Sequence, residues 1–536
     1  MAQSLYQKVK SLNKKNADLN QMKSENQIKS EKNLPTRLTG KDILALGIPE
    51  GPKIRQALER SRELQLQKQS PLQIQNALQR EFLKPEAPKL TLRENPLSIS
   101  QAAHAQSPEE EKNLESAHKK MAELTLCPVI ERAGLMPDTC PSGSEFGCIP
   151  VGGAIQTNNE VLPAAHSADV CCSMFATFFD SRHTPKEILD ALEASTHFGP
   201  TDPPNPTWDP ILEEPVWRNP FLQGLEGTAQ KHLQTQGDGN HFASLGRIPS
   251  SRALAVQLDL EGYYNEAKKL KNNPDSPLWA LVTHHGSRSL GAQIYKRGLL
   301  KAEEETKKIA KNIPKTLSWL TLDSEIGQAY WAALEYAQRW AKANHTLIHN
   351  ATLKKLQITP RCQLGNEHNF VWKHQGKILH GKGATPAWKD SQGRRLLGII
   401  PLNMAEGILL TFGSNNREFL SFSPHGAGRN LSRTETLKPF RDPTTQKLDP
   451  KKIQETLKSL TGHLDIRWGN RWGNRKSDLS ESPLGYKNAQ EVKAQLQHYG
   501  LARIALEIQP FGCLMAGEID TPWKNKKKRN SPEIVR

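Results

Sequence analysis

The stretch Ser421–Arg433, SFSPHGAGRNLSR, sets His425 directly before Gly426, Ala427 and Gly428, with Arg429 next. Glycines let backbone approach a ligand without Cβ interference, and an arginine can meet negative charge. A histidine so placed can attack phosphorus and hold it as a phosphoramidate while the N–H groups of the turn receive the oxygens. Taken alone, the string reads equally well as an ordinary tight turn. Four upstream segments add metal-type ligands: Asp169-Val170-Cys171-Cys172, Gly239-Asn240-His241-Phe242, Thr283-His284-His285-Gly286-Ser287-Arg288 and Ile348-His349-Asn350. One thiolate, one carboxylate and three imidazoles suffice for two adjacent divalent ions, with the sulfur able to bridge them. Each histidine by itself fits a structural role too. None has local HExxH or CxxC spacing, so the chemical case rests on how the segments combine.

These residues fall in a region, from Leu114 onward, that mixes short β-like runs, glycine turns and helices. Val129-Ile130, Gly147–Ile155 and Val170–Phe179 read as strands; Pro185–Ser195, Ser324–Asn344 and Ala489–Tyr499 read as helices. Ahead of it, residues 1–36 are rich in Lys, Asn, Gln and Ser and read as a disordered basic tail. Residues 37–83 read as a helical hairpin carrying Ile54, Leu58 and Leu64, and the proline-rich residues 84–114 as a linker. The string Leu46-Gly47-Ile48-Pro49-Glu50-Gly51-Pro52 resembles the LGxxxGP hairpin in the tail of CCA-adding tRNA nucleotidyltransferases, a resemblance that implies RNA contact; simple packing explains it equally. The tandem RWGNRWGN at 467–474 interleaves cation and aromatic as single-strand contacts do, or is a plain surface loop. Residues 521–536 read as a basic tail containing KNKKKR.

The 536 residues carry a formal charge of +16, which points to an anionic partner, nucleic acid first, or to a generally basic surface. Seven cysteines, an odd number in a long chain, do not read as a disulfide framework and imply a reducing compartment. No apolar h-region follows the start, and the apolar run Leu396–Phe412 is broken by Pro401, Asn403 and Glu406, so a cytoplasmic protein without a membrane span is expected. Gly376–Gly383, GKILHGKG, nearly fits a P-loop but has Gly383 where Ser or Thr must hold magnesium. GDGNHF and GAGRNL lack the third glycine of a dinucleotide fold.

From about residue 115 to 520 the sequence resembles the RtcB family of RNA ligases. The resemblance is carried by MPDTCPSG (136–143), SADVCCSM (167–174), GDGNHF (237–242), THHGSRSLG (283–291), IHN (348–350), HGKGAT (380–385), SFSPHGAGR (421–429) and PLGYK (483–487). It implies an α+β fold, a mixed core with β-sheets flanking a metal cleft, plus the small helical N-terminal extension. It implies joining of RNA 2′,3′-cyclic phosphate or 3′-phosphate ends, such as tRNA halves or cleaved RNA, to 5′-hydroxyl ends, using GTP and two Mn2+ ions. Zn2+ would suit thiolate and imidazole ligands at least as well. Matched by position, Cys172 is the shared thiolate, Asp169 and His241 hold one ion, His284 and His349 the other, and His425 is the nucleophile that carries GMP. Nucleotide contacts fall on Asn240, His241, Asn350, Pro401, Asn403, Met404, His425, Gly426, Ala427, Gly428 and Tyr486, and RNA or phosphate contacts on Arg288, Lys382 and Arg429. A two-metal phosphoesterase that does not ligate and a non-catalytic RNA-binding paralogue remain as rivals, and any activating protein partner is open.

The departures from the family cluster on the base-reading side. An acidic family position is Ser244, a serine is Ile408, the terminal lysine falls at about Met515, and the histidine of the PDxH motif is Cys140. Loss of base-edge partners predicts weakened discrimination between nucleotides.

Overall fold

The computed structural model describes residues 38–48, 51–83, 89–199, 207–271, 274–469 and 477–517. The readings of 1–36, of 521–536 and of most of the RWGN tandem lie outside the described residues; its first arginine, Arg467, is held by Asp465, Asp190 and Glu193.

The chain divides between Lys89 and Leu90 into two compact units. Among its described residues the first has three helices, Gly40–Ala45, Pro52–Leu66 and Pro71–Phe82. Where a two-helix hairpin was expected over 37–83, a third helix fills the end of that span; it begins on a capping box in which Ser70 accepts from the Gln73 N–H and Gln73 reaches back to Ser70. Ile43, Ile48, Ala57, Leu64, Ile74 and Leu78 form the core of this unit.

The second unit is mixed α+β. A five-stranded sheet runs in the order Ile99–Gln101, Ile130–Cys140, Val151–Thr157, Lys377–Lys382, Asn369–His374. An eight-stranded sheet runs Cys362–Glu367, Ser173–Phe179, Leu278–His285, Phe242–Ile248, Ala502–Met515, Ile408–Gly413, Leu397–Pro401, with Asp465–Trp468 pairing alongside Ala502–Met515. The residues read as a linker contain the strand Ile99–Gln101 and the start of the helix Pro108–Thr125.

Alternation along the strands buries both faces of the large sheet. In Ser173–Phe179, Met174, Ala176 and Phe178 join a core with Leu254 and Leu258, while Phe179 joins another with Ile188, Leu192, Ile348 and Leu353. Behind this second face runs the helix Glu325–Lys355. It packs on the helix Arg288–Ile309 at Gly298, where a Cβ would come within 2.2 Å of the Tyr330 ring. The sequence reading ended that helix at Asn344. Nothing from 345 to 355 breaks it, since the segment has neither Gly nor Pro. Ile348-His349-Asn350 is therefore helix interior and not a loop.

Candidate metal and nucleotidyl-transfer centre

Register brings the ligands together. Cys172 immediately precedes the strand Ser173–Phe179, His241 precedes Phe242–Ile248, His284 is near the end of Leu278–His285, and His368 follows Cys362–Glu367. In the ladders Met174 faces His284, Phe242 faces His284 and Glu367 faces Ser173, so all four residues occupy one rim of four adjacent strands. The Cys172 Sγ lies 3.4 Å from His241 Nε2 and 3.2 Å from His284 Nε2. His241 Nε2 is 3.1 Å from Asp169 Oδ2, and His284 Nε2 is 3.2 Å from His368 Nε2. Left-handed backbone at Ser167 and Cys171 (φ 74° and 58°) turns the SADVCC segment so that Asp169 joins this rim.

The donor set fits divalent cations. Burial, with neighbouring imidazoles, holds His284 and His368 well below the usual histidine range, and burial lowers His241 against the pull of Asp169, so burial favours the neutral, ligating form of these rings. Burial would raise the Asp169 carboxyl, but His241 and Arg288 hold it well below the carboxylate range. Burial and Asp169 push the Cys172 thiol well up. One sulfur and three ring nitrogens thus converge with little neutral hydrogen bonding to satisfy them, a set suited to soft or borderline ions.

His425 approaches from a separate two-stranded ladder. The strand Phe422–Pro424 pairs with Ala384–Pro386, and the Ala384 N–H donates to His368 O at 3.0 Å, which places the His425 ring 4.8 Å from that of His368. Asp138, fully buried in the strand Ile130–Cys140, accepts from both the His425 backbone N–H (3.0 Å) and Nδ1 (2.5 Å). The cleft therefore lies between the two sheets, as the fold reading expects. Gly383 (φ 63°) packs under the ring, and a Cβ there would sit 2.9 Å from His425 Cε1 and Nδ1.

Beside His425 opens a cavity of about 280 Å3. Asn240, Pro401, Asn403, Met404, Gly426, Ala427, Gly428 and Tyr486 all line it with His425. So do the departures Cys140, Ser244, Ile408 and Met515, together with Phe242, Leu402 and Ile508, which make the wall largely apolar.

Other expected residues are placed differently. His349 is away from the cluster: Nδ1 pairs with Thr177 Oγ1 at 2.7 Å and Nε2 with Thr283 Oγ1 at 2.8 Å, so both nitrogens are used in holding the long helix to the sheet. His368 occupies the position assigned to it. Asn350 is exposed on that helix and does not line the cavity. Lys382 is drawn below the usual lysine range by burial, and its ammonium donates to Ser142 Oγ and Ile149 O, which turns it from phosphate binding to holding the loop between the strands Ile130–Cys140 and Val151–Thr157. Arg429 reaches the cavity, but its guanidinium donates to Ser480 O, Leu431 O, Thr436 Oγ1 and Glu481, and it lies over the Tyr486 ring. Its donors are used in fixing Glu481 and Tyr486. Arg288 is at the cluster, with Nη1 2.7 Å from His241 Nδ1.

Sequence reasoning missed His368, Asp138 and Arg433, a half-exposed guanidinium on the cavity wall anchored to Glu481. The signal for His368 was present: Glu367-His368-Asn369-Phe370 mirrors Asn240-His241-Phe242, a histidine just before a β run.

Comparison with known proteins gives one consistent result. The family model described as "tRNA-splicing ligase RtcB" matches residues 219–516. The chain is 24% identical over 409 residues to the RNA-splicing ligase RtcB of Escherichia coli K12, covering 68% of this chain and 86% of that protein. It is 26% identical over 311 residues to the tRNA-splicing ligase RtcB of Methanococcus maripaludis (53% and 59% covered) and 26% identical over 310 residues to that of Pyrococcus horikoshii (52% and 32% covered).

Proposed function

The chain belongs to the RtcB family, its model matching more than half of the residues, and from that premise we propose that it is an RNA ligase joining 2′,3′-cyclic phosphate or 3′-phosphate ends to 5′-hydroxyl ends. What supports this reading is one relationship: an imidazole held at Nδ1 by Asp138 stands one ring from a buried set of a thiol, a carboxylate and three imidazoles.

Two divalent ions, Mn2+ or alternatively Zn2+, would be held by Asp169, Cys172, His241, His284 and His368, and when bound they supply charge neutralisation to phosphate oxygens. Asp138 keeps the His425 proton on Nδ1, which leaves the Nε2 lone pair free to attack. The Nε2–phosphorus bond forms at the α-phosphate of a nucleoside triphosphate, the bond to the bridging oxygen breaks, and pyrophosphate departs. A cyclic end is first opened by water, whose oxygen bonds to phosphorus as the P–O2′ bond breaks and the 2′-oxygen takes up a proton; the nucleotidyl group then passes to the RNA 3′-phosphate, restoring free His425. The 5′-hydroxyl oxygen attacks that activated phosphate and the nucleoside monophosphate leaves.

GTP is the family's nucleotide, but the apolar wall of Ile408, Met515 and Ile508 with Ser244 gives a guanine edge few partners, so discrimination among bases is relaxed. The test is incubation with Mn2+ and each α-labelled nucleoside triphosphate, followed by RNA bearing a cyclic phosphate and a 5′-hydroxyl. Label on His425 from several nucleotides, and joined RNA, support the reading. GTP-only label refutes relaxed discrimination. Opened cyclic phosphate without label would make the protein a phosphoesterase.

A further inference from the structure

A second groove, of about 400 Å3, lies at the split between the two outer strands of the eight-stranded sheet, Cys362–Glu367 and Leu397–Pro401. Its walls include Tyr263, Trp331, Trp372 and Trp388. Lys373 Nζ stands 4.4 Å over the Trp331 ring, and His374 stacks on Trp388 at 4.7 Å. Asn366 lines the same groove and is nine-tenths buried. Its Oδ1 accepts from the Ile399 N–H at 2.8 Å, which fixes the amide orientation, because a backbone N–H can only donate. Its Nδ2 has no hydrogen-bond partner among the described residues. A buried amide N–H left unmatched costs about 1–3 kcal/mol, so an acceptor entering the groove would be bound there at a gain.

We propose that this groove binds a single-stranded stretch of the RNA substrate, its bases stacking on the partly exposed Trp331 and Trp372 and one base or ribose acceptor taking the Asn366 amide. Stacking on aromatic faces interleaved with cations is how single strands are held without sequence readout. Glu335 accepts from Trp331 Nε1 at 2.8 Å and Glu367 from Gln338 Nε2 at 3.0 Å, so each carboxylate on the groove already holds one partner within the protein. The exposed Lys373 and Lys389 supply the basic rim. The strand Asn369–His374 runs from His368 at the metal cluster to the groove, and Trp372 is four residues on, about 13 Å along an extended chain. A strand with its 3′ end near His425 can therefore reach the groove within a few nucleotides. The proposal rests on RNA being the substrate.

The test uses the full chain and a short oligouridylate ending in a 3′-phosphate, with 4-thiouridine a few nucleotides from that end. Cross-linking is expected to the peptides containing Trp331, Trp372 or Lys373. Trp331→Ala is expected to raise the KM for RNA roughly tenfold with kcat little changed, Trp331→Phe to restore it, and Lys373→Glu to raise it further, with thermal melts checking that each variant folds. Cross-links elsewhere, or an unchanged KM in both Trp331→Ala and Lys373→Glu, overturn the proposal and leave the groove to a protein partner. Failure of the wild type to join RNA would count against the ligase reading, while the cross-link still reports on the groove.

Discussion

His425 Nδ1 lies 2.5 Å from Asp138 Oδ2, and the same oxygen accepts the His425 backbone N–H. One carboxylate thus sets both the position of the ring and its tautomer. Asp138→Asn keeps the shape but removes the charge, and nucleotidyl transfer to His425 is expected to fall by about 10²- to 10⁴-fold. Covalent label per mole of protein measures this, with His425→Ala as the zero. A loss under tenfold would mean that the carboxylate is only a scaffold.

Exchange of His368 against His349 separates metal binding from packing. His368→Ala is expected to lower retained divalent metal after dialysis, and Cys172→Ala to do the same. His349→Ala is expected to keep the metal but to take one partner from each of the Thr177 and Thr283 hydroxyls, which retain Gln363 and His345, costing about 1–3 kcal/mol in denaturant unfolding. Elemental analysis and urea melts of the same samples decide it; metal loss in His349→Ala alone would restore the sequence-based assignment.

Gly383→Ala combines a left-handed backbone with a Cβ 2.9 Å from the imidazole. Destabilisation of about 1–3 kcal/mol is expected, with label on His425 reduced beyond what unfolding accounts for. Gly376→Ala, where the added carbon meets open space, gives a control for backbone strain at a left-handed glycine.

Acid sensitivity follows from buried imidazoles. Burial brings His166 down to about 4 and His349 to about 3. An unfolded histidine titrates near 6.5, so between that value and the folded ones the unfolded chain takes up protons that the folded chain refuses. Stability is full above roughly pH 6.5 and is lost as the pH falls toward 4 and 3. His166→Gln is expected to make this fall shallower by up to about 1.4 kcal/mol per pH unit, read from unfolding curves across that window.

Ser244 stands on the cavity wall where an acidic residue would meet a base edge. Ser244→Asp is expected to raise labelling by GTP over ATP by tenfold or more. No change in that ratio would place the base elsewhere.

Much of the site could be read from the sequence because its members precede or end β runs. Cys172, His241, His284 and His425 sit beside glycines or at strand ends that alternation marks out. His349 was misplaced for a local reason: the helix was ended eleven residues early, and an Ile-His-Asn string inside it then looked like a loop motif. Asp138 was quoted within its motif without a role, since pairing with a residue nearly three hundred positions away leaves no local trace. Lys382 and Arg429 read as phosphate contacts by type, and only packing reveals that their donors serve protein oxygens.

The four rim residues come from positions 172, 241, 284 and 368, contributed by alternate starts and ends of neighbouring strands. No contiguous fragment shorter than about two hundred residues contains them all. On the proposed reaction, the chain must therefore emerge past His368 before a cation finds its full cage, and past His425 before a nucleotide can be captured. A ribosome-stalled or truncated product would then be chemically silent and unable to consume nucleoside triphosphate.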